Sequence, residues 1–119
     1  MNAEKKFYVT KEVAADTITV YLHGELDLSM APEMRADLEP YVNQTGRGLI
    51  LNLKDLKYID STGIGIIILI LKQRDALGAS FHVAEIPSKI QRLFDITGIT
   101  QYLLPNSGKS SVERKEDII

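Results

Sequence analysis

The eight residues Ile64–Leu71 carry no polar side chain. A membrane-spanning helix needs about 20 apolar residues in a row, so this run is too short to cross a bilayer and belongs to a protein core. It follows Asp60-Ser61-Thr62-Gly63 directly and reads as part of a helix from about Ser61 to Leu77, with Gly78 as the C-terminal stop. Ile64, Ile67, Ile68 and Leu71 form one stripe on such a helix, and Ile66, Leu69 and Ile70 fill much of the remaining surface. A helix this apolar must rest one side on a sheet and turn another toward a second helix or a partner protein. A chain of 119 residues has room for one core of that kind.

The flanking segments supply the sheet. Lys6 to Thr10 reads as a first strand and Ala14-Ala15-Asp16 as a turn. Thr17 to Leu22 alternates, with Ile18, Val20 and Leu22 on one face, which makes a hairpin with the first strand. Gly24 to Leu28 reads as a polar connection, and Ser29 is placed to cap the helix after it. Met30, Met34, Leu38 and Val42 recur every fourth residue along that helix, and Pro40 is expected to kink or end it. Leu49 to Leu53 reads as a strand buried on both faces, and Lys54 to Ile59 as its continuation into a loop. Ala79 to Ala84 is a further strand. Ser88 and Gln91 have the spacing of a capping box, opening a helix that buries Ile90, Leu93 and Phe94 and stops at Gly98. Tyr102 to Leu104 reads as a last short strand, and residues 105–119 as a polar, frayed tail. The order β-β-α-β-α-β-α-β predicts an α/β domain over residues 1–104, with a mixed, mostly parallel sheet of about five strands.

Composition excludes several functions. Fourteen basic against 16 acidic residues give a net charge of -2, and no basic stripe offers a surface for nucleic acid. The absence of cysteine removes thiol nucleophiles, disulfides and Cys-based zinc sites, and suits a reducing, cytoplasmic setting. No apolar signal core follows Met1–Lys6, so export is not expected.

Most motif matches fail on context. Gly108-Lys109-Ser110 resembles the end of a phosphate-binding loop, but Leu103 stands where that loop needs glycine. Gly63-Ile64-Gly65 lacks the third glycine of a dinucleotide fingerprint, where Ile68 stands instead. His23 and His82 have no paired metal-ligand spacing, so neither a metal nor a cofactor is expected. Asn43-Gln44-Thr45 matches a glycosylation acceptor only by chance. Ser61 lacks the Gly-x-Ser-x-Gly setting of a hydrolase nucleophile, and Asp27 and Asp60, at two loop tips, have no deep cleft between them. Enzymatic activity is not expected.

Asp60-Ser61-Thr62-Gly63 survives. It lies at the carboxyl end of a parallel strand, the edge at which open α/β sheets meet ligands and partners. Ser61 or Thr62 fits the N-cap of the apolar helix, an ordinary structural duty worth about 1 kcal/mol. The same position also suits a switch. A phosphoryl group on Ser61 adds roughly −1.5 to −2 charges at a helix N-terminus, which the helix dipole accommodates and a closely docked partner would not.

Gly24-Glu25-Leu26-Asp27, Leu51-Asn52-Leu53, Tyr58-Ile59-Asp60-Ser61-Thr62-Gly63-Ile64-Gly65 and Arg92-Leu93-Phe94-Asp95-Ile96-Thr97-Gly98 together resemble the bacterial anti-sigma factor antagonists, which are single STAS domains. The resemblance runs from about Phe7 to Leu104 and is most specific at Asp-Ser-Thr-Gly. It implies partner switching in stress-response transcription. The unphosphorylated antagonist binds an anti-sigma factor that is also a serine kinase using ATP and Mg²⁺, and the sigma factor is freed. Phosphorylation of the serine matching Ser61 blocks binding, and a metal-dependent PP2C-type phosphatase reverses it. Asp60 then orients the Ser61 hydroxyl or anchors the loop through backbone amides, Thr62 is a decoy hydroxyl, and Gly63 lets the chain turn and a kinase approach. Glu25, Asp27, Leu28 and Ser29 extend the partner-binding surface at the same sheet edge. A non-switching STAS scaffold and a small serine hydrolase stand as alternatives.

Overall fold

The computed structural model describes residues 6–100. Strands β1 (Phe7–Val13) and β2 (Thr17–Leu26) form an antiparallel hairpin, and helix α1 (Ala31–Val42) follows. Then come β3 (Gly48–Asn52), β4 (Leu56–Ile59), α2 (Ser61–Ala76), β5 (Phe81–Ala84) and α3 (Ser88–Thr97). The sheet order is β1-β2-β3-β5, with β4 also paired to β2, and every pairing except β1–β2 is parallel.

The arrangement of β2 positions everything at the sheet's carboxyl edge. Residues Thr17–Tyr21 pair with β3 and residues Gly24–Leu26 pair with β4, with a register shift between Gly24 and Glu25 and Leu26 lying opposite Ile59. At Gly24 only glycine fits. Its φ of +93° is a left-handed conformation, and a Cβ there would stand 2.1 Å from the Lys6 carbonyl oxygen. One ten-residue strand thus serves two parallel partners in succession and brings the chain after Leu26 beside the chain after Ile59.

Alternation explains the core. Ile18, Val20 and Leu22 are buried, whereas Thr17, Thr19, Tyr21 and His23 between them are half-buried. Ala31, Met34, Leu38 and Val42 of α1 join Ile64, Ile66, Ile67 and Ile70 of α2 in the same core, so the excess apolar surface of α2 is absorbed largely by α1 and the sheet. Arg74 is fully buried among these apolar side chains. Its guanidinium donates to the carbonyls of Tyr41, Val42 and Gln44 at the end of α1, and to those of Arg47 and Ser80.

Several expectations from sequence are corrected. The segment read as a continuation of β3 toward the Asp60 loop holds a separate strand, β4, paired with β2; only Leu56 and Ile59 of it are buried, and their spacing hides a period of two. Its partner residues, Gly24–Leu26, are strand rather than connection. The count of five strands therefore holds with β4 in it, while the expected strand Tyr102–Leu104 and the expected tail lie outside the described residues. In β3 only Leu49 and Leu51 are buried, and Ile50 is half-buried. Helix α1 continues through Pro40 to Val42. Pro40 and Ala36 are both exposed, so water can take the carbonyl that loses its partner. Ser88 caps nothing, since the N-cap position of α3 is Pro87, and the Gln91 amide turns instead to Asp95 and Thr100. Leu93 is exposed rather than buried.

Candidate functional site

Two loops meet at the carboxyl edge of the sheet, the β2–α1 loop (27–30) and the β4–α2 junction. Ser29 does not cap α1. The Asp27 carboxylate does the local work instead, accepting from the Ser29 amide at 3.0 Å, the Ser29 hydroxyl at 2.7 Å and the Met30 amide at 3.3 Å. Its other oxygen pairs with the Lys6 ammonium. This closes the loop tightly and leaves the Leu28 side chain 69% exposed.

At the other loop the expected cap is also reassigned. Asp60, not Ser61 or Thr62, is the N-cap of α2, and its Oδ1 accepts from the Gly63 amide at 3.1 Å. Its Oδ2 accepts from the Leu28 amide at 3.2 Å, so one carboxylate joins the two loops. Of the two roles expected for Asp60, anchoring through backbone amides is the one seen. Ser61 is exposed in the first turn of α2, and Thr62 is half-buried. Gly63 is buried, which corrects its expected place on a partner surface. A Cβ there would lie 2.7 Å from Ile59 and 2.9 Å from Leu26, so the missing side chain lets the helix start close against β4 and β2.

Glu25 is exposed and lies opposite Tyr58, itself 50% exposed. The edge thus presents Glu25, Asp27, Leu28, Ser29, Tyr58, Asp60 and Ser61. It is an acidic lip with two apolar projections, Leu28 and Tyr58. Sequence reasoning missed Lys6 and Tyr58. Lys6 is 21 positions from its partner Asp27 and carries no local signal. Tyr58 could have been found only by recognising β4.

The Lys6 contact, reinforced by Ser29, holds the Asp27 carboxyl at about 2, below its ordinary 3.8, and the same contact raises the pKa of Lys6. A carboxyl with a lowered folded-state pKa contributes stability that is fully present above its unfolded value and is lost as pH falls through the folded one. Wild-type protein is therefore expected to lose this contribution between about pH 4 and pH 2, and Asp27→Asn to lack that part of the acid dependence in denaturant titrations at stepped pH.

The two histidines are engaged elsewhere. His23 stacks on Tyr8 with ring centroids 4.4 Å apart, its Nε2 lies 2.9 Å from the Thr10 hydroxyl, and its Nδ1 faces Asp55 at 3.4 Å. His82 lies in β5. Among the described residues neither histidine is hydrogen-bonded to Ser61, and no cluster of three His, Asp or Glu side chains could hold a metal ion. No helix among them is long and apolar enough to cross a membrane.

The sequence matches the STAS domain family over residues 8–114. This chain belongs to the STAS domain family. The STAS domain is 39% identical over 82 residues to the anti-sigma-B factor antagonist of Bacillus subtilis, an alignment covering 69% of this chain and 74% of that protein. Its fold is similar to that of the anti-sigma factor antagonist SpoIIAA in its unphosphorylated form, with a TM-score of 0.67 at 21% identity over 82% of this chain and 85% of the other. The phosphorylated form of SpoIIAA from Bacillus aligns with a TM-score of 0.63 at 21% identity, covering 82% of this STAS domain and 88% of that chain.

Proposed function

We propose that this STAS domain is an anti-sigma factor antagonist that is switched by phosphorylation at Ser61. Unphosphorylated, it binds an anti-sigma factor in the cytoplasm and frees the sigma factor, acting on protein partners without touching DNA. The observation that carries this reading is the division of labour at the start of α2. Asp60 supplies the cap, so the exposed Ser61 hydroxyl has no cap duty and can be modified without unpicking the helix. Names of similar proteins support it, since the Bacillus subtilis relative opposes an anti-sigma factor and SpoIIAA exists in phosphorylated and unphosphorylated forms.

In the proposed reaction the partner kinase holds ATP and Mg²⁺. Ser61 Oγ attacks the γ-phosphorus, its proton passes to a base on the partner, and the bond from that phosphorus to the bridging oxygen breaks to release ADP. The phosphate arrives at a helix N-terminus with no acidic residue in the first turn, where dipole and free amides favour an anion. Hydrolysis by a PP2C-type phosphatase returns the hydroxyl. Glu25, Asp27, Leu28, Ser29, Asp60 and Thr62 line the docking surface around it, and Tyr58, exposed opposite Glu25, extends it.

Incubation with the cognate anti-sigma kinase and ATP·Mg²⁺, followed by intact-mass analysis and site mapping, tests the assignment. One phosphoryl group per chain is expected, mapped to Ser61, and none on Ser61→Ala. Full labelling of the alanine variant would place the acceptor elsewhere.

A further inference from the structure

We infer that Asp60 is a positioning residue that clasps Leu28 into its docking posture, and that phosphate on Ser61 acts partly by opening this clasp. The inference rests on Ser61 being the switch and names how that switch reaches the second loop. Leu28 is a large apolar side chain left 69% exposed on a loop, and its own amide is held across 32 positions of sequence by Asp60 Oδ2 at 3.2 Å. The other oxygen of the same carboxylate holds the Gly63 amide at 3.1 Å. From the opposite side Asp27 anchors the loop by accepting from Ser29 and pairing with Lys6. The Leu28 backbone thus sits between two carboxylates, of which only Asp60 adjoins the phosphoacceptor.

Asp60 is one residue from Ser61, so a phosphate there competes for the same first-turn amides and repels the Asp60 carboxylate. The phosphate takes over the Gly63 amide, so the helix start stays capped, and the displaced carboxylate cannot keep its second oxygen aimed at Leu28. The added charge then reaches Leu28 through this carboxylate, with no change of fold.

Asp60→Asn separates the two bonds. The asparagine Oδ1 can still accept from Gly63, but its Nδ2 is a donor and meets the Leu28 N–H without an acceptor. Amide exchange followed by NMR is expected to show the Leu28 amide exchanging at least tenfold faster in Asp60→Asn, with Gly63 still protected. In the wild type, phosphorylation of Ser61 is expected to speed Leu28 exchange, and in Asp60→Asn to add little further. Unchanged Leu28 exchange in Asp60→Asn overturns the clasp whatever Ser61 does. If Asp60→Asn frees Leu28 but Ser61 takes no phosphate from the kinase, the clasp stands as a fold feature and the switch reading is what fails.

Binding to the anti-sigma factor completes the test. Asp60→Asn is expected to weaken it about tenfold, the worth of one charge-assisted hydrogen bond. Leu28→Ala is expected to weaken it comparably, and the double variant to be within about twofold of Leu28→Ala alone, since residues acting through one another are non-additive. Multiplying losses would mean that Asp60 acts on the partner by a route other than Leu28, and would refute the positioning role.

Discussion

Arg74→Leu is expected to cost the domain about 4 kcal/mol, a large share of the 5–15 kcal/mol that holds a typical domain folded. Arg74 is fully buried, and its guanidinium fork spans the carbonyls of Tyr41, Val42, Gln44, Arg47 and Ser80 at 2.7 to 3.5 Å. Helix α1 has no basic residue in its last turn, so the negative end of its dipole is met by a cation from α2. Burial pushes the guanidinium's pKa below its ordinary value, and carbonyl dipoles, rather than a carboxylate, compensate the charge. Leucine would leave this group of carbonyls buried without a donor. Arg74→Lys should fall between, because an ammonium offers three donors from one point and cannot bridge the two sides of the fork. Urea unfolding measures both. A loss below about 1 kcal/mol for the leucine variant would show that water replaces the guanidinium.

Ser61→Asp is expected to weaken anti-sigma binding about a hundredfold while leaving the melting temperature near that of the wild type. A kinase that phosphorylates Ser61 must bring the triphosphate of its ATP against this hydroxyl, so a carboxylate placed there meets like charge and is buried unpaired. Such a burden costs several kcal/mol, and about 3 kcal/mol is a hundredfold in affinity. The domain itself is spared because the carboxylate sits at the favourable end of α2. Ser61→Ala should bind within about twofold of wild type, since it removes no cap. Calorimetric titration against the kinase with bound nucleotide decides the matter, and equal affinities for aspartate and alanine would sink a charge switch.

How much of this was legible in the sequence differs by element. The α/β class followed from the alternation of strand-like and helix-like segments, and the place of α2 in the core from Ile64–Leu71, whose composition admits few alternatives. The Asp60-Ser61-Thr62-Gly63 junction was legible because a polar tetrad between a strand and an apolar helix must lie at the sheet edge. The cap assignments failed because hydroxyl spacing alone does not fix where a helix starts. At Ser61 the preceding Asp60 takes the cap, at Ser29 the hydroxyl is held by Asp27 and α1 starts one residue later at Met30, and at Ser88 the helix starts one residue earlier, at Pro87, with no side-chain cap. Strand β4 escaped as a separate strand because its pairing partner is the far end of β2, and the register shift within that pairing breaks any period of two. Arg74 reads in sequence as an ordinary charge near the end of an apolar helix. Only the convergence of three separate segments on its side chain explains its burial.

The double pairing of β2 has a further consequence for how such surfaces diversify. Because the main-chain pairing of β2 with both β3 and β4 fixes the spacing between the two loops, the exposed side chains at positions 25, 28 and 58 can be exchanged without displacing Ser61. A few surface replacements on an unaltered frame would thus suffice to change which protein this edge accepts.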